Sequence, residues 1–414
     1  MRNALLFLAV VAAILAGATA ARAEGLDGTM IVGYQGWFAC PGDEGPGGRG
    51  WVHWFDRGSG LGLRPTVDLL PDVSGMPEDA LCDTPLKLPD GRTLRVFSSQ
   101  RRGTVDTHFR WMAQHGIHGA ALQRFATGLR PPFKAANDRV LSLVAEAAAA
   151  HGRSFFVTYD ISGLAPDRVG DVVADWRALR ASGVVDGPAW QRHRGRPVLG
   201  IFGVGSFNRA TPDPAAGQAL VDALRAAGPV TLMGGVQANW RTLDGNPRPD
   251  PAWGAVFRSF DIISPWSVGA FVDDAGADTF LRNRIVPDLA EARRLGRDYM
   301  PVIFPGFTWS NLSAARGRPS PANGIRRRCG AFYWHQARNA VGAGARMLFA
   351  AMFDEVDEGT AIIPVTNDVP RGGPATFVTR DADGCDPAPD WYLHLAGAVS
   401  RGLQAGQLPA LPPP

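Results

Sequence analysis

The sequence predicts an α/β fold, a single (β/α)₈ TIM barrel with a long first βα loop. Eight short apolar runs alternate with amphipathic helical stretches, which is the pattern of a barrel built from eight strand–helix units. Most runs are continuously apolar, as parallel strands covered on both faces are. The rival architecture, an open doubly wound sheet, predicts a glycine-rich phosphate loop after an early strand, and the sequence has none of Rossmann or P-loop form.

The predicted elements follow one another along the chain with glycine at most helix ends, where it favours a C-cap. The strands comprise residues 30–34, 119–125, 154–159, 197–203, 230–235, 261–265, 299–304 and 347–353. The helices comprise residues 107–116, 136–152, 169–183, 215–228, 277–296, 329–344 and 390–403. Residues 40–93 form the long first loop, which a strand at 94–98 decorates, and loops of this length are usually functional.

The amino-terminal residues are typical of a signal peptide. Arg2 precedes an apolar stretch, and Ala21-Arg22-Ala23 fits a small-x-small cleavage pattern, so residues 1–23 are the predicted signal peptide. A membrane anchor is the alternative, but the apolar stretch is short for a membrane span. We therefore expect a secreted or periplasmic protein with a glycoside hydrolase-like domain at 24–404, a proline-rich tail at 405–414 and no membrane contact after signal removal.

The charge of the chain argues against a nucleic-acid partner. Loss of Arg2 and Arg22 with the signal peptide lowers the formal net charge from +3 by two, to +1, and no basic run is present. We expect a neutral ligand, a carbohydrate substrate, and a monomer without metal or other cofactor.

The four cysteines predict disulfides because the count is even in a chain expected to be exported. Cys40, Cys82, Cys329 and Cys385 allow three pairings, and free buried thiols are the alternative. Cys40 and Cys82 both lie in the first loop, whereas Cys329 and Cys385 each precede one of the last two helices. The hypothesis is therefore local pairing, Cys40 with Cys82 and Cys329 with Cys385.

An acidic cluster follows the last predicted strand. Asp354, Glu355, Asp357 and Glu358 occupy four of five consecutive positions where a barrel holds its active site. Cleavage of a glycosidic bond needs a protonated carboxylic acid and usually a second carboxylate. If the chain turns helically after residue 353, Glu355 and Glu358 reach one face, and like charges there raise at least one pKa. The alternatives are a solvated acidic turn and a Ca²⁺ loop.

Aromatic, amide and acidic residues follow several other predicted strands. Such a mixture suits sugars, whose C–H faces stack on aromatic rings while their hydroxyls form hydrogen bonds. The alternative for each tryptophan, including Trp51 and Trp253, is burial in the core. The predicted substrate-binding residues are Tyr34, Gln35, Trp37, His53, Trp54, Gln123, Arg124, Asp160, Gln237, Trp240, Trp266, Trp309, Asp354 and Asp357.

Five segments resemble proteins related to glycoside hydrolase families 71 and 99, some of which are labelled xylosidase/arabinosidase. They are VGYQGWFACPGDEG, WVHWF, HFRWMAQHGIHGAALQRF, FDIISPWSVG and MFDEVDEGTAIIP, and they span nearly the whole mature chain in order. The resemblance implies a (β/α)₈ barrel and a glycosidase acting on an α-linked substrate, an α-mannan for family 99 or an α-1,3-glucan for family 71.

The resemblance also implies catalytic roles. The last strand of family 99 ends in Glu-Trp-His-Glu followed by Gly-Thr, and the matching residues here run from Glu355 to Thr360. The first glutamate, Glu355, would act as base on the 2-hydroxyl of the sugar, and the second, Glu358, as general acid and then base, with retention. Val356 and Asp357 replace the family's Trp-His, so the mannan substrate does not carry over there.

Three other functions remain open from the sequence. The first is a non-catalytic carbohydrate-binding barrel, and the second is a xylosidase/arabinosidase-type activity on hemicellulose. The third is a Ca²⁺-dependent lyase that uses Arg124 or a histidine as base.

Overall fold

The barrel strands form one parallel sheet in a computed structural model that describes residues 25–45, 50–57, 63–205, 213–244, 250–373 and 375–414. The predicted signal peptide, residues 1–23, lies outside the described residues. The strands are β1 (Thr29–Tyr34), β2 (Phe55–Arg57), β3 (Leu63–Pro65), β4 (Leu81–Lys87), β5 (Thr93–Phe97), β6 (Gly119–Phe125), β7 (Ser154–Asp160), β8 (Arg192–His193), β9 (Arg196–Phe202), β10 (Thr231–Val236), β11 (Ile262–Pro265), β12 (Asp298–Tyr299), β13 (Val302–Ile303) and β14 (Met347–Ala350).

The order of the strands closes a barrel. The sheet runs β12-β11-β10-β9-β7-β6-β1-β14-β13, and the first strand pairs in parallel with the last, with Thr29 opposite Met347. β12 and β13 are two pieces of the seventh strand around Pro301, whose carbonyl accepts from the backbone N–H of Phe349. Counted as one, they complete eight strands, so the predicted (β/α)₈ barrel is confirmed.

The helices pack around the strands, and they are α1 (Arg102–His115), α2 (Lys134–Ala150), α3 (Val169–Ala181), α4 (Pro214–Ala226), α5 (Ala252–Ser259), α6 (Asp274–Phe280), α7 (Val286–Arg294), α8 (Ser310–Ala315), α9 (Ala331–Gly342) and α10 (Trp391–Ala405). The stretch predicted as one helix at 277–296 is interrupted by a π-helical turn, Leu281–Ile285. The helices predicted from the sequence do not include α5 and α8, which are short. Among the described residues no helix has both the length and the apolar character that crossing a membrane requires.

The long first loop folds into two antiparallel hairpins, β2–β3 and β4–β5. Asp68, fully buried in this loop, fastens it to the segment after β13. Its carboxylate accepts hydrogen bonds from the Thr308 hydroxyl at 2.5 Å and from the backbone N–H groups of Ser310 and Asn311 at 2.7 and 2.8 Å. The described part of the loop is therefore fixed beside the carboxyl ends of the strands.

Both predicted disulfides are present, Cys40–Cys82 within the first loop and Cys329–Cys385 before the last two helices. The proline-rich tail packs against the core through Leu408 and Leu411.

Removal of the first disulfide is expected to destabilise the fold. The double variant Cys40→Ser/Cys82→Ser should lose about 2–4 kcal/mol of unfolding free energy, because the bond no longer restricts the unfolded loop. Urea unfolding of both proteins without reductant measures the loss, and peptide mapping of the wild type without reductant verifies the pairing. An unchanged unfolding midpoint, or a peptide joining Cys40 to Cys385, would contradict this account.

Candidate active site

A cavity of about 800 Å³ lies at the carboxyl ends of the barrel strands. This is the end at which barrel enzymes hold their active sites. Ten of the predicted catalytic and substrate-binding residues line it, so the structure brings them together, and whether they bind a sugar stays a prediction. They are Gln35, Trp37, His53, Gln123, Asp160, Gln237, Trp266, Glu355, Asp357 and Glu358.

Asp354 joins the exits of the first and last strands. Its carboxylate is fully buried and accepts from the backbone N–H groups of Gln35 at 2.7 Å and Gly36 at 2.9 Å. Burial raises the pKa of Asp354 to about 7, against the opposing effect of these hydrogen bonds. Gly36 has a φ of 61°, and a Cβ there would lie 2.8 Å from Val140. Asp354 is therefore an anchor, and its predicted contact with substrate is wrong.

Glu355 is held by two donors. Its Oε1 accepts from the Gln35 side-chain amide at 2.5 Å, and its Oε2 accepts from the Thr360 hydroxyl at 2.5 Å. Burial raises the pKa of Glu355 well above its ordinary value, and the negative charges of Glu358 and Asp357 raise it further. The two hydrogen bonds act in the opposite direction. This carboxyl group is fixed in orientation and binds a proton more tightly than an exposed glutamate does.

Glu358 lines the same cavity and is only half-buried. Its backbone carbonyl accepts from the Thr308 N–H at 3.0 Å. The next residue, Gly359, has a φ of 67°, and a Cβ there would lie 2.4 Å from the Thr308 methyl group. The backbone therefore turns tightly after Glu358 and keeps both glutamates on the cavity wall, within electrostatic reach of each other.

Asp357 is paired with His53 from the first loop. The carboxylate is fully buried, and its Oδ2 lies 2.8 Å from Nδ1 of His53. The imidazole stacks on Trp37 with ring centroids 3.9 Å apart and an angle of 4° between the planes. A carboxylate at 357 thus sets the position of a ring that comes from a segment about 300 residues earlier in the chain.

The aromatic rings of the cavity differ in how closely they are already packed against other rings of the protein. Trp37 is already packed against protein rings, because Phe125 lies nearly parallel to it at 5.4 Å in addition to His53. Trp266 makes an edge contact with Phe202 at 4.9 Å, and both residues line the cavity. Trp266 is accordingly the better candidate for stacking on a sugar.

Tyr34 and Trp54 do not line the cavity, which corrects their predicted role. Both side chains are buried, and each polar group is bound within the protein. The Tyr34 hydroxyl lies 2.9 Å from Nδ1 of His108, and the Trp54 indole N–H donates to the Phe97 carbonyl at 2.9 Å.

Trp240 and Trp309 also lie outside the cavity lining. Trp240 is fully buried and donates its indole N–H to Asp288 at 2.8 Å. Trp309 is half-buried and packs against Phe307 at 5.6 Å. Trp240 belongs to the core, and Trp309 does not reach the cavity wall.

Arg124 does not line the cavity either, which corrects its predicted role in substrate binding. Its side chain is 1% exposed and forms two hydrogen bonds of 2.7 Å with the buried carboxylate of Asp175, plus one of 2.6 Å with Asp138. It cannot contact a ligand in the cavity or act there as the base of a lyase. Its role is to hold α2 and α3 against β6.

Several residues of the cavity wall are absent from the sequence prediction. Phe125 and Phe202 are the last residues of β6 and β9, so their position at the carboxyl end of a strand could have predicted them. Phe133 is 48% exposed at the rim, next to Asn137, and no motif marks either residue. Thr360 does not line the cavity but donates to Glu355, and it is marked only by the Gly-Thr that follows the acidic cluster.

One cluster outside the cavity has the residue types of a metal site. One ligand atom each of His115, Asp390 and His394 lie within 4.8 Å of one another. His115 donates its Nδ1–H to the Trp111 carbonyl at 2.9 Å, which leaves Nε2 as a lone-pair donor. None of the three lines the cavity, so the cluster takes no part in its chemistry.

Comparison with known proteins gives a clear likeness in fold. No protein-family model matches the sequence, and no curated protein is similar to it in sequence. The fold is similar to that of the GH99 endo-α-mannosidase from Bacteroides thetaiotaomicron, with a TM-score of 0.65 and 17% identity over 92% of this chain and 99% of that chain. A structure of that enzyme with bis-tris propane gives a TM-score of 0.64 and 16% identity over the same shares. The likeness establishes the barrel fold.

Substitution of Arg124 is expected to damage stability rather than ligand binding. Arg124→Met should lower the unfolding free energy by about 3–5 kcal/mol, because it removes the guanidinium that pairs closely with the buried Asp175 and leaves only Lys134, at 3.9 Å. Gln123→Ala, at the adjacent cavity-lining position, should stay within about 0.5 kcal/mol of wild type. Urea unfolding measures both. A stable Arg124→Met protein that had lost only carbohydrate binding would contradict the structural role.

Proposed function

We propose that this chain is an exported glycosidase that cleaves an α-linked poly- or oligosaccharide with retention of configuration. One observation carries the proposal. Glu355 and Glu358 follow the last barrel strand and share the wall of one cavity, where the charge of Glu358 raises the pKa of Glu355. A pair of carboxyl groups that differ in burial is what acid–base cleavage of a glycosidic bond requires.

The remaining wall of the cavity supports a carbohydrate as the ligand. Gln35, Gln123 and Gln237 bring amide groups that both donate and accept hydrogen bonds, and Trp266 brings an aromatic surface. Sugars need both kinds of contact. The fold likeness to an endo-α-mannosidase supports the α-linkage, while Asp357, where family 99 has histidine, argues for a different sugar subsite.

The proposed reaction has two steps. Glu355 removes the proton of the 2-hydroxyl, whose oxygen attacks the anomeric carbon, while Glu358 protonates the departing glycosidic oxygen. In the second step Glu358 removes a proton from water, the water oxygen attacks the anomeric carbon and breaks the bond between that carbon and the 2-oxygen, and Glu355 returns a proton to the 2-oxygen. Each step inverts the anomeric centre, so the product retains its configuration.

The environments of the two glutamates support this division. Gln35 and Thr360 donate hydrogen bonds to Glu355, which favours the ionised form that a base needs, whereas burial and the charges of Glu358 and Asp357 raise its pKa and oppose ionisation. Glu358 is more exposed, as befits a group that meets a leaving group and then water. The pair is active when it holds a single proton.

Export is supported by the signal-like segment at residues 1–23, which lies outside the described residues, and by the two disulfides, which are typical of oxidising compartments.

Substitution of the two glutamates should separate their roles. Glu358→Gln should lower the rate on natural substrates by about 10²–10⁴ and spare substrates with good leaving groups, which need less protonation. Glu355→Gln should impair both kinds of substrate, because activation of the 2-hydroxyl is needed whatever group leaves.

A panel of α-mannans, α-glucans and arabinoxylan fragments identifies the natural substrate, and aryl glycosides of the same sugar supply the good leaving group. Asp278→Asn is the control, because Asp278 bonds His335 at 2.6 Å outside the cavity. If both glutamate variants kept wild-type turnover while the wild type bound sugar, the chain would be acting through other residues. If the wild type bound sugar without turnover, the non-catalytic alternative would hold.

The pH profile should report the coupled pair. Activity should fall at alkaline pH when the pair loses its single proton, with an apparent pKa well above that of an exposed glutamate, because burial and nearby negative charge disfavour ionisation. Asp357→Asn removes one of those charges, which favours ionisation and lowers the pKa, so the alkaline limb should move to lower pH. The pH dependence of kcat for the two proteins measures the shift. A limb that moved to higher pH, or not at all, would refute this electrostatic coupling.

A further inference from the structure

Residues of metal-binding type meet where the last helix of the fold crosses the end of α1. His115 is the last residue of α1, Asp390 is the N-cap of α10, and His394 lies one turn further along α10. One ligand atom of each lies within 4.8 Å of the other two, and no other such group of three occurs among the described residues. The rings of His115 and His394 meet edge to face, with centroids 4.7 Å apart. Two helices therefore bring two imidazoles and a carboxylate together.

Close packing fixes these two helices relative to each other. A Cβ at Gly397 would lie 2.1 Å from the carbonyl oxygen of His115, so glycine is what lets α10 approach the end of α1 this closely. Further along α10, the Ser400 hydroxyl donates to the Gly116 carbonyl at 3.0 Å. The fold itself thus sets the backbone positions of the cluster, which lowers the entropy that a bound ion would have to remove.

Each side chain of the cluster can present a ligand atom. Nδ1 of His115 lies 2.9 Å from the Trp111 carbonyl. That oxygen can only accept, so Nδ1 carries the proton and Nε2 keeps its lone pair. A carbonyl bound to the other ring nitrogen is a usual outer contact of metal-binding histidines. The Asp390 side chain makes no capping hydrogen bond to α10, so its carboxylate is not used by the helix.

The separation of Asp390 and His394 suits a single ion. Two ligands on a tetrahedral ion with bonds of about 2.0–2.1 Å lie about 3.3 Å apart. Oδ2 of Asp390 and Nε2 of His394 are 3.2 Å apart. Without metal, a proton on the ring nitrogen bonds the carboxylate. A metal ion would replace that proton, and small side-chain rotations would bring in His115 as the third ligand.

The ligand types select the class of ion. Imidazole nitrogen combined with carboxylate oxygen suits Zn²⁺ and neighbouring transition metals, whereas Ca²⁺ and Mg²⁺ prefer oxygen ligands. The side chains of Asp390 and His394 are 40% and 58% exposed, so an ion can enter from solvent and water can complete its coordination. The pair formed by His335 and Asp278 differs because it has a single imidazole.

We propose that His115, Asp390 and His394 bind one Zn²⁺ ion, which joins α10 to α1 outside the cavity. None of the three residues lines the cavity, so the ion would stabilise the fold, and the inference does not depend on the proposed glycosidase function. It departs from the expectation, drawn from the sequence, of a chain without metal. His115 is remote from Asp390 and His394 along the chain, and only folding brings them together.

Calorimetric titration with ZnCl₂ tests the site in tag-free protein that has been treated with EDTA and dialysed. The wild type should bind one ion per chain, and excess CaCl₂ or MgCl₂ should not displace it. His394→Ala and Asp390→Asn each change a ligand at an exposed position and should weaken binding by at least about tenfold, since even an outer contact can be worth that much. His335→Ala is the matched control, because it removes a histidine paired with an aspartate and should leave Zn²⁺ binding unchanged.

Hydrogen exchange tests whether the ion joins the helices. Zn²⁺ should slow amide exchange in α10 and raise the thermal unfolding midpoint of the wild type, because the ion binds the folded arrangement of the three ligands. Neither effect should occur in His394→Ala, and both should persist in His335→Ala.

A wild type that binds no Zn²⁺, or is saturated only by millimolar Zn²⁺, would overturn the proposal and leave the cluster an ordinary histidine–aspartate pair. Zn²⁺ binding that persisted unchanged in a folded His394→Ala protein, or displacement of Zn²⁺ by Ca²⁺ or Mg²⁺, would also overturn it. Binding at the cluster without slower exchange in α10 would refute the joining role. These results are separate from the glycosidase proposal, which turnover of the oligosaccharide panel tests.

Discussion

The site depends on one buried carboxylate, that of Asp354. The first and last strands of the barrel lie side by side, so the chain leaves both at the same edge. Asp354 lies just beyond the last strand, and its carboxylate accepts hydrogen bonds from two backbone N–H groups in the turn after the first strand. These bonds fix the segments that follow the two strands relative to each other. Because the backbone of Gln35 is held in this way, its side-chain amide is positioned to donate a hydrogen bond to Glu355. The arrangement of Gln35, Asp354 and Glu355 is therefore a consequence of barrel closure.

The strands could be predicted because their burial leaves a continuous apolar signal, but the direction of each side chain at the strand ends could not. The end of β6 illustrates the difference. Gln123 and Phe125 line the cavity, while Arg124 between them points outward to Asp175. This alternation is a property of any extended strand. The sequence predicts that side chains alternate between the two faces of the strand, but not which of them face the cavity. Arg124 was therefore predicted to line the cavity together with Gln123.

The contacts that hold the long first loop in place could not be predicted from the sequence either. The length of the loop predicted a functional part, and the structure shows it packed beside the cavity with His53 on the wall. What holds it is Asp68, whose partners at Thr308 and Asn311 lie 240 and 243 residues away in the chain. Trp54 is a similar case, because the Phe97 carbonyl that binds its indole cannot be inferred from local pattern. Contacts at such separations exist only after the barrel has closed.

The acidic cluster gains its meaning from these surroundings. Four carboxylates that are nearly equivalent as sequence letters have four different environments. Asp354 is tied to backbone N–H groups, Glu355 to an amide and a hydroxyl, and Asp357 to an imidazole, while Glu358 is half-exposed on the cavity wall. A solvated acidic turn would leave all four exposed, and here three are buried. Burying several negative charges together is unfavourable unless each carboxylate has its own hydrogen-bond donors. The same burial and nearby negative charge raise the pKa of Glu355, and a raised pKa suits a group that transfers protons near neutral pH.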